Sequence, residues 1–142
     1  MKDDVRKYLI FTLAGRRYAF DLTQVAEVVE QPATWPIPLA PPCYPGAMNF
    51  HGTIVAVMDL AMFLGLPDGH GAEKVIVLDT RIAALAFVVE SVIRITLMNQ
   101  AGLSVPAGDE IFVIGELNLP EGKVTLLDAS AIAVHTAETI NC

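Results

Sequence analysis

The side chains able to do chemistry in this 142-residue chain are three histidines (His51, His70, His135), two cysteines (Cys43, Cys142), three serines (Ser91, Ser104, Ser130) and a handful of acids. A metal site needs ligands at short repeated spacings such as His-x-x-x-His or Cys-x-x-Cys, and neither occurs, so no metal is expected. No serine sits in a Gly-x-Ser-x-Gly elbow. Cys43 lies in a proline-rich stretch with no helix start behind it to lower its pKa. Gly69-His70-Gly71 lacks both the Gly-x-Gly-x-x-Gly spacing and the Lys-Ser/Thr of a phosphate loop. Asp59 and Asp128 each stand just before an apolar run, where a carboxylate accepts hydrogen bonds from the free N–H groups of a helix start; that role keeps them ionised and occupied. Asp109-Glu110, beside Pro106 and Gly108, reads as a solvated loop. The two distant cysteines read as a reduced pair. The sequence is therefore expected to have no cofactor and no catalytic activity.

What remains is a recognition surface. Asn49, His51 and Gly52 occupy a short polar turn between apolar segments, directly after a rigid proline cluster. Such a place can present side chains to a partner. It can equally serve the backbone alone, through residues that tolerate left-handed conformations.

The elements that must hold this turn can be read from punctuation. Tyr8–Leu13 is strand-like, Ala14-Gly15-Arg16-Arg17 a turn and Tyr18-Ala19-Phe20 the returning strand of a hairpin. Asp21 with Gln24 resembles a capping box, and Leu22, Val25, Val28 and Val29 recur at helical spacing, which predicts a short amphipathic helix; its valines keep it brief. Pro32 to Pro45 must be irregular or at an edge. Gly46 to Gly52 reads as a turn-containing stretch leading to the strand Thr53–Met58, and Asp59 caps a helix over 60–64 that Gly65 and Pro67 end.

The second half repeats this grammar. Lys74–Asp79 is a strand, 80–83 a turn and Leu85-Ala86-Phe87 the next strand, and Asp128 caps a terminal helix over 129–134. At an offset of 67, Ala19 aligns with Ala86, Phe20 with Phe87, Val25 with Val92 and Val28 with Ile95. Gly52…Asp59 and Gly122…Asp128 each bracket an apolar strand before a capping acid. Each half, with ~70 residues, is near the size where one core supplies only a few kcal/mol, so the two are expected to pack against each other rather than fold as independent units. Short, evenly spaced strands with glycines and prolines favour small barrels, since closure removes exposed edges.

Composition narrows the partners. Hydrophobic residues make up 54% of the chain and charged ones 18%, below the usual ~25%, so some apolar surface is expected to face another macromolecule. Net charge is −7, distributed 0, −2 and −5 over residues 1–50, 51–100 and 101–142. With no basic stripe to neutralise phosphates, nucleic acid is not an expected partner. The longest uncharged run, 31–58, contains six prolines and is not a membrane span. The N-terminal region lacks a secretory cleavage pattern, so the protein is expected in the cytoplasm.

Taken in order, Tyr8 to Phe20, Asp21…Val25-Ala26-Glu27-Val28, Pro38…Ala40-Pro41, the block Gly46-Ala47-Met48-Asn49-Phe50-His51-Gly52 through Asp59-Leu60, and Leu126-Leu127-Asp128 resemble the CheW-like adaptors of bacterial chemotaxis. The resemblance implies a mainly β fold of two five-stranded SH3-like barrels with short helices, including one at the C-terminus. It implies one domain over 1–142 made of two intertwined barrels with a boundary near 68–73. It further implies a non-enzymatic scaffold joining the regulatory domain of a CheA-type histidine kinase to the cytoplasmic tip of methyl-accepting chemoreceptors, recruited to receptor arrays without inserting into the membrane. Val25, Glu27, Gly46, Asn49, His51 and Gly52 match the motif positions tied to partner contacts.

One stretch departs from the pattern. The family usually carries Asn-Leu-Arg-Gly where this chain has Asn49-Phe50-His51-Gly52, and one imidazole cannot reproduce the five-donor fork of a guanidinium. Two rival functions stand beside the adaptor. One is a small-molecule sensor using the cleft between the barrels, with Trp35 and Phe50 as lining. The other is a hydrolase built on His51 and Asp59, which would lose turnover in His51→Ala.

Overall fold

The structure is a computed structural model and describes residues 5–30, 32–67, 74–99, 102–104 and 110–138. In chain order the elements are β1 (Val5–Leu13), β2 (Arg16–Asp21), a 3-10 turn (Leu22–Gln24), β3 (Val25–Glu30), β4 (Gly46–Phe50), β5 (Thr53–Asp59), α1 (Leu60–Phe63), β6 (Lys74–Leu78), β7 (Leu85–Val89), β8 (Ser91–Asn99), β9 (Leu103–Ser104), β10 (Val113–Leu119), β11 (Gly122–Leu127) and α2 (Ala129–Glu138). They form two sheets, ordered β8-β1-β2-β11-β10-β9 and β3-β6-β7-β5-β4.

The duplication read from the sequence organises both sheets. The succession β1, β2, β3, β4, β5, α1 recurs as β6, β7, β8, β10, β11, α2. With those equivalences the two sheets have the same strand order, and each draws on both halves of the chain. In the first sheet β8 pairs with β1, and β11 runs parallel to β2 (Thr125 opposite Tyr18). In the second, β3 pairs with β6, and β5 runs parallel to β7 (Met58 opposite Phe87). The sixth strand of the first sheet is only the two-residue β9. Its counterpart in the second is a single bridge between Trp35 and Ala47, so five full strands characterise each. The expected boundary near 68–73, Gly69-His70-Gly71 and Asp109 lie outside the described residues.

Alternation along the strands explains the near-continuous apolar runs. A strand sends successive side chains to opposite faces, and here both faces are buried. On β1, Leu9, Phe11 and Leu13 enter a central core between the sheets, while Tyr8 and Ile10 fill a smaller core inside the curl of the first sheet. On β6, Ile76 and Leu78 face the central core while Val75 and Val77 fill the matching small core of the second. Side chains from both edges of each sheet reach its own small core: Met98 with Leu103 in one, Val29 with Phe50 in the other. Each sheet is therefore curled. At the centre Phe20 stacks on Phe87, its repeat equivalent, with centroids 5.6 Å apart, and on Phe11 at 4.9 Å.

The capping acids behave as expected. Asp59 Oδ1 accepts from Met62 N–H at 3.1 Å, and Asp128 Oδ1 from Ala131 N–H at 3.2 Å. One element is corrected. The segment expected as a helix after Asp21 is a single 3-10 turn, in which Asp21 accepts from Thr23 N–H, followed by strand β3. The β-branched Val25, Val28 and Val29 find a ladder on β6, opposite Leu78, Ile76 and Val75, and that pairing overrides the helical spacing. Cys43 is also not the reduced thiol expected: it is buried and disulfide-bonded.

Candidate functional site

The site named from the sequence centres on the β4–β5 hairpin, which is tighter than the turn-containing stretch expected. The ladder runs from Gly46–Val57 to Phe50–Thr53, leaving only His51 and Gly52 as the turn. Both have positive φ, 50° and 87°. Two consecutive left-handed residues make the primed turn whose twist suits a two-residue hairpin. Asn49 Oδ1 accepts the Gly52 N–H at 2.8 Å and fixes the corner. At the other end of β4, a Cβ on Gly46 would lie 2.4 Å from the Trp35 carbonyl oxygen, so glycine permits the bridge that holds the proline-rich segment to the sheet. Asn49, Gly46 and Gly52 thus have definite backbone roles.

His51 and Glu27 are different, because their side chains point outward. His51 Nε2 lies 3.4 Å from Glu27 Oε1, with side-chain exposures of 74% and 50%. The two belong to opposite ends of the second sheet, β3 and the β4–β5 turn, and they meet only because the sheet curls. The Phe50 ring stands edge-on to the imidazole, with centroids 4.4 Å apart. Val25 is half-buried against the central core and separated from Glu27 by a bulge at Ala26. On the same strand Glu30 pairs with Lys74, whose hydrogen bond holds the Glu30 carboxyl below its ordinary range.

The first sheet carries a matching tie. Arg94 on β8 pairs with Glu121 in the turn of the β10–β11 hairpin. Hydrogen bonding from its own backbone N–H, together with the charges of Arg94 and Arg17, holds the Glu121 carboxyl below its ordinary range against a desolvation that raises it. Both curled sheets are therefore tied from edge strand to hairpin turn by a pair of opposite polarity, Glu-to-His in one and Arg-to-Glu in the other.

Chemistry finds no footing at the hydrolase residues. His51 lies two residues before β5 and Asp59 ends it, so the strand Thr53–Asp59, roughly 20 Å long at ~3.3 Å per residue, lies between them, and Asp59 is occupied as a cap. Among the described acids Asp79 is shifted furthest, held down to about 2 by the guanidinium of Arg81, two residues on, in the turn after β6. It is a turn clamp. Among the described residues no cluster of three His, Cys, Asp or Glu side chains could hold a metal, and no helix is long and apolar enough to cross a membrane.

Sequence reasoning missed exposed apolar side chains. Ile93, Ile95 and Leu97 alternate along the outer edge strand β8, with exposures of 46%, 54% and 65%. Their period of two was legible in Val92-Ile93-Arg94-Ile95-Thr96-Leu97. Ile54, 67% exposed, stands next to the His51 turn. Trp35 and Phe50, expected as lining of a cleft between the barrels, are not among the residues lining the cavity beside α1. Trp35 bridges to Ala47, and Phe50 packs toward the small core of its own sheet.

Residues 7–137 match the family model described as the CheW-like domain. The Bacillus subtilis protein named chemotaxis protein CheW is 23% identical over 133 residues, covering 89% of this chain and 85% of that protein. The Thermotoga maritima protein of the same name is 28% identical over 88 residues, 61% of this chain and 58% of that protein. In three dimensions the chain is similar to the crystal structure of the scaffolding protein TtCheW from Thermoanaerobacter tengcongensis. That match has a TM-score of 0.79 at 23% identity and covers 87% of this chain and 88% of that one.

Proposed function

The chain belongs to the CheW-like family, and on that premise we propose that it is a non-catalytic scaffold coupling a CheA-type histidine kinase, through the kinase's regulatory domain, to the cytoplasmic tip of chemoreceptors. The family match across residues 7–137 carries this reading. Two further observations support it. The acids expected to cap helices are occupied as caps, and the chain presents a rigid hairpin and an apolar edge strand to its surroundings. The function is one of differential binding: by holding kinase and receptor in a fixed geometry, the scaffold lets the state of one bias the other.

On this reading Val25, Glu27, Gly46, Asn49, His51 and Gly52 form one contact surface with divided labour. Gly46, Asn49 and Gly52 shape the hairpin, Val25 seats β3 on the core, and Glu27 with His51 meets the partner. An imidazole offers fewer donors than the arginine usual in the family, so His51→Arg should strengthen association with a standard receptor tip. The test is calorimetric titration of the purified chain with the kinase regulatory domain and the receptor tip encoded nearby. Binding to both is expected. Failure to bind either at tens of micromolar would overturn the adaptor, whereas equal affinities of wild type and His51→Arg would overturn only the role of residue 51.

A further inference from the structure

A cavity of about 600 Å³ lies between the first sheet and α1. Its floor is the start of β2 and the end of β11, with Arg16, Tyr18, Thr125 and Leu127. Its walls are Phe63, Leu64 and Leu66 from α1 and the turn after it, facing the 110–113 segment. That segment is anchored: Phe112 accepts the Asp128 N–H at 2.8 Å, and its ring packs 5.3 Å from Phe63. The volume is in the range of small-ligand sites, and the lining is mostly apolar, with Arg16, Tyr18 and Thr125 on the floor and Glu110 on the facing wall.

Those polar groups lack partners. Tyr18 is 92% buried, its relative exposure being 8%, yet its hydroxyl has no hydrogen-bond partner among the described residues. Among the described residues no fully enclosed side-chain oxygen is unpartnered, so this hydroxyl opens onto the cavity it lines. A buried phenol normally finds an acceptor. Arg16, two residues earlier on the same face of β2, is likewise without a salt bridge or hydrogen bond for its guanidinium among the described residues. Thr125 sits directly opposite Tyr18 in the parallel ladder and adds a second hydroxyl.

We propose that this cavity binds a small monocarboxylate with an apolar tail, its carboxylate taken by Arg16 and the Tyr18 and Thr125 hydroxyls and its tail by Phe63, Leu64, Leu66 and Leu127. A guanidinium and two hydroxyls are all donors to an anion, and none of them would gain from an apolar head group. Glu110 on the facing wall sets the limit of one negative charge, because a second carboxylate would meet it. This site is separate from the proposed partner surface, since none of the six residues there lines it. The ligand would bridge β2 and β11 of one sheet to α1 of the other.

The test uses the whole chain and two probes, octanoate and 3-phenylpropionate, with 1-octanol and octylamine as controls, read by calorimetry and thermal shift. Saturable one-to-one binding of at least one carboxylate is expected, with octanol at least about tenfold weaker and octylamine silent. Tyr18→Phe preserves the ring and its stack on Phe11, so its Tm should match wild type while carboxylate affinity falls about tenfold, the effect of losing one charge-assisted hydrogen bond. Arg16→Gln should lose at least as much, and Glu110→Gln should gain. No saturable binding of either carboxylate at millimolar concentration would overturn the proposal. So would octanol binding as tightly as octanoate, or Tyr18→Phe binding like wild type.

Discussion

The two curled sheets are built alike, yet their ties differ in kind. In the first, Arg94 meets Glu121 with side chains 39% and 37% exposed. Arginine stays charged at any working pH, so this tie depends only on the carboxylate. In the second, His51 meets Glu27 at 3.4 Å, with exposures of 74% and 50%. An imidazole carries charge only when protonated, and His51 sits at a left-handed turn position that its Cβ disfavours. One duplicated architecture therefore holds a tie that serves the sheet beside a tie displayed to solvent. Duplication fixes the position of an edge-to-turn contact, and on the proposed reading the second copy's contact serves recognition.

The strongest way to break the symmetry is at its centre. Phe20 and Phe87 occupy equivalent places and stack on each other, both fully buried. Each change to alanine should cost about 3–5 kcal/mol, and the two costs should agree to within about 1 kcal/mol. Because the rings touch, the double variant should lose less than the sum. Urea unfolding of the three variants measures this. Strongly unequal costs would mean that the two halves do not share the central core evenly.

A second pair sharpens the comparison at the sheet margins. Gly46 on β4 and Gly115 on β10 occupy equivalent strands. A Cβ added to either would strike a carbonyl oxygen, that of Trp35 at 2.4 Å or that of Ser104 at 2.5 Å. Backbone cannot yield as a flexible side chain does, so each Gly→Ala change should destabilise by about 1–3 kcal/mol. On the proposed reading of the hairpin, only Gly46→Ala should also weaken partner binding. Chemical denaturation gives the first quantity and titration with the receptor tip the second.

Much of this was legible in the sequence, for identifiable reasons. Ala14-Gly15, Asp59 and Asp128 announce a turn and two helix starts by local chemistry, and locality is what a single sequence encodes well. Phe20 and Phe87 could be aligned because the repeat preserves large core residues. Val25 to Glu30 was misread because i, i+3 spacing of valines is compatible with a helix, and only the distant partner β6 decides otherwise. The hairpin residues Asn49 and Gly52 were visible, but the approach of Glu27 to His51 was not. These residues are 24 positions apart and at opposite ends of their sheet, and their contact is a product of curvature that no local pattern reports.

The smallest effects separate the two ties by their response to acid. The folded-state pKa of Glu121 is depressed below its ordinary value, so its contribution to stability is fully present above about 4.5 and is lost as pH falls through the depressed value. Removing Arg94 removes part of that depression. Arg94→Gln should therefore lower Tm by a constant amount between pH 6 and pH 8, and the deficit should shrink below about pH 4.5. His51→Gln should change stability at pH 7 by only about 0.5 kcal/mol or less, as exposed pairs do. Its consequence should fall on receptor-tip affinity instead. A thermal melt series of both variants from pH 3 to pH 8 distinguishes the cases: if His51→Gln destabilises more than Arg94→Gln at pH 7, the second tie is structural after all and the division of labour between the copies fails.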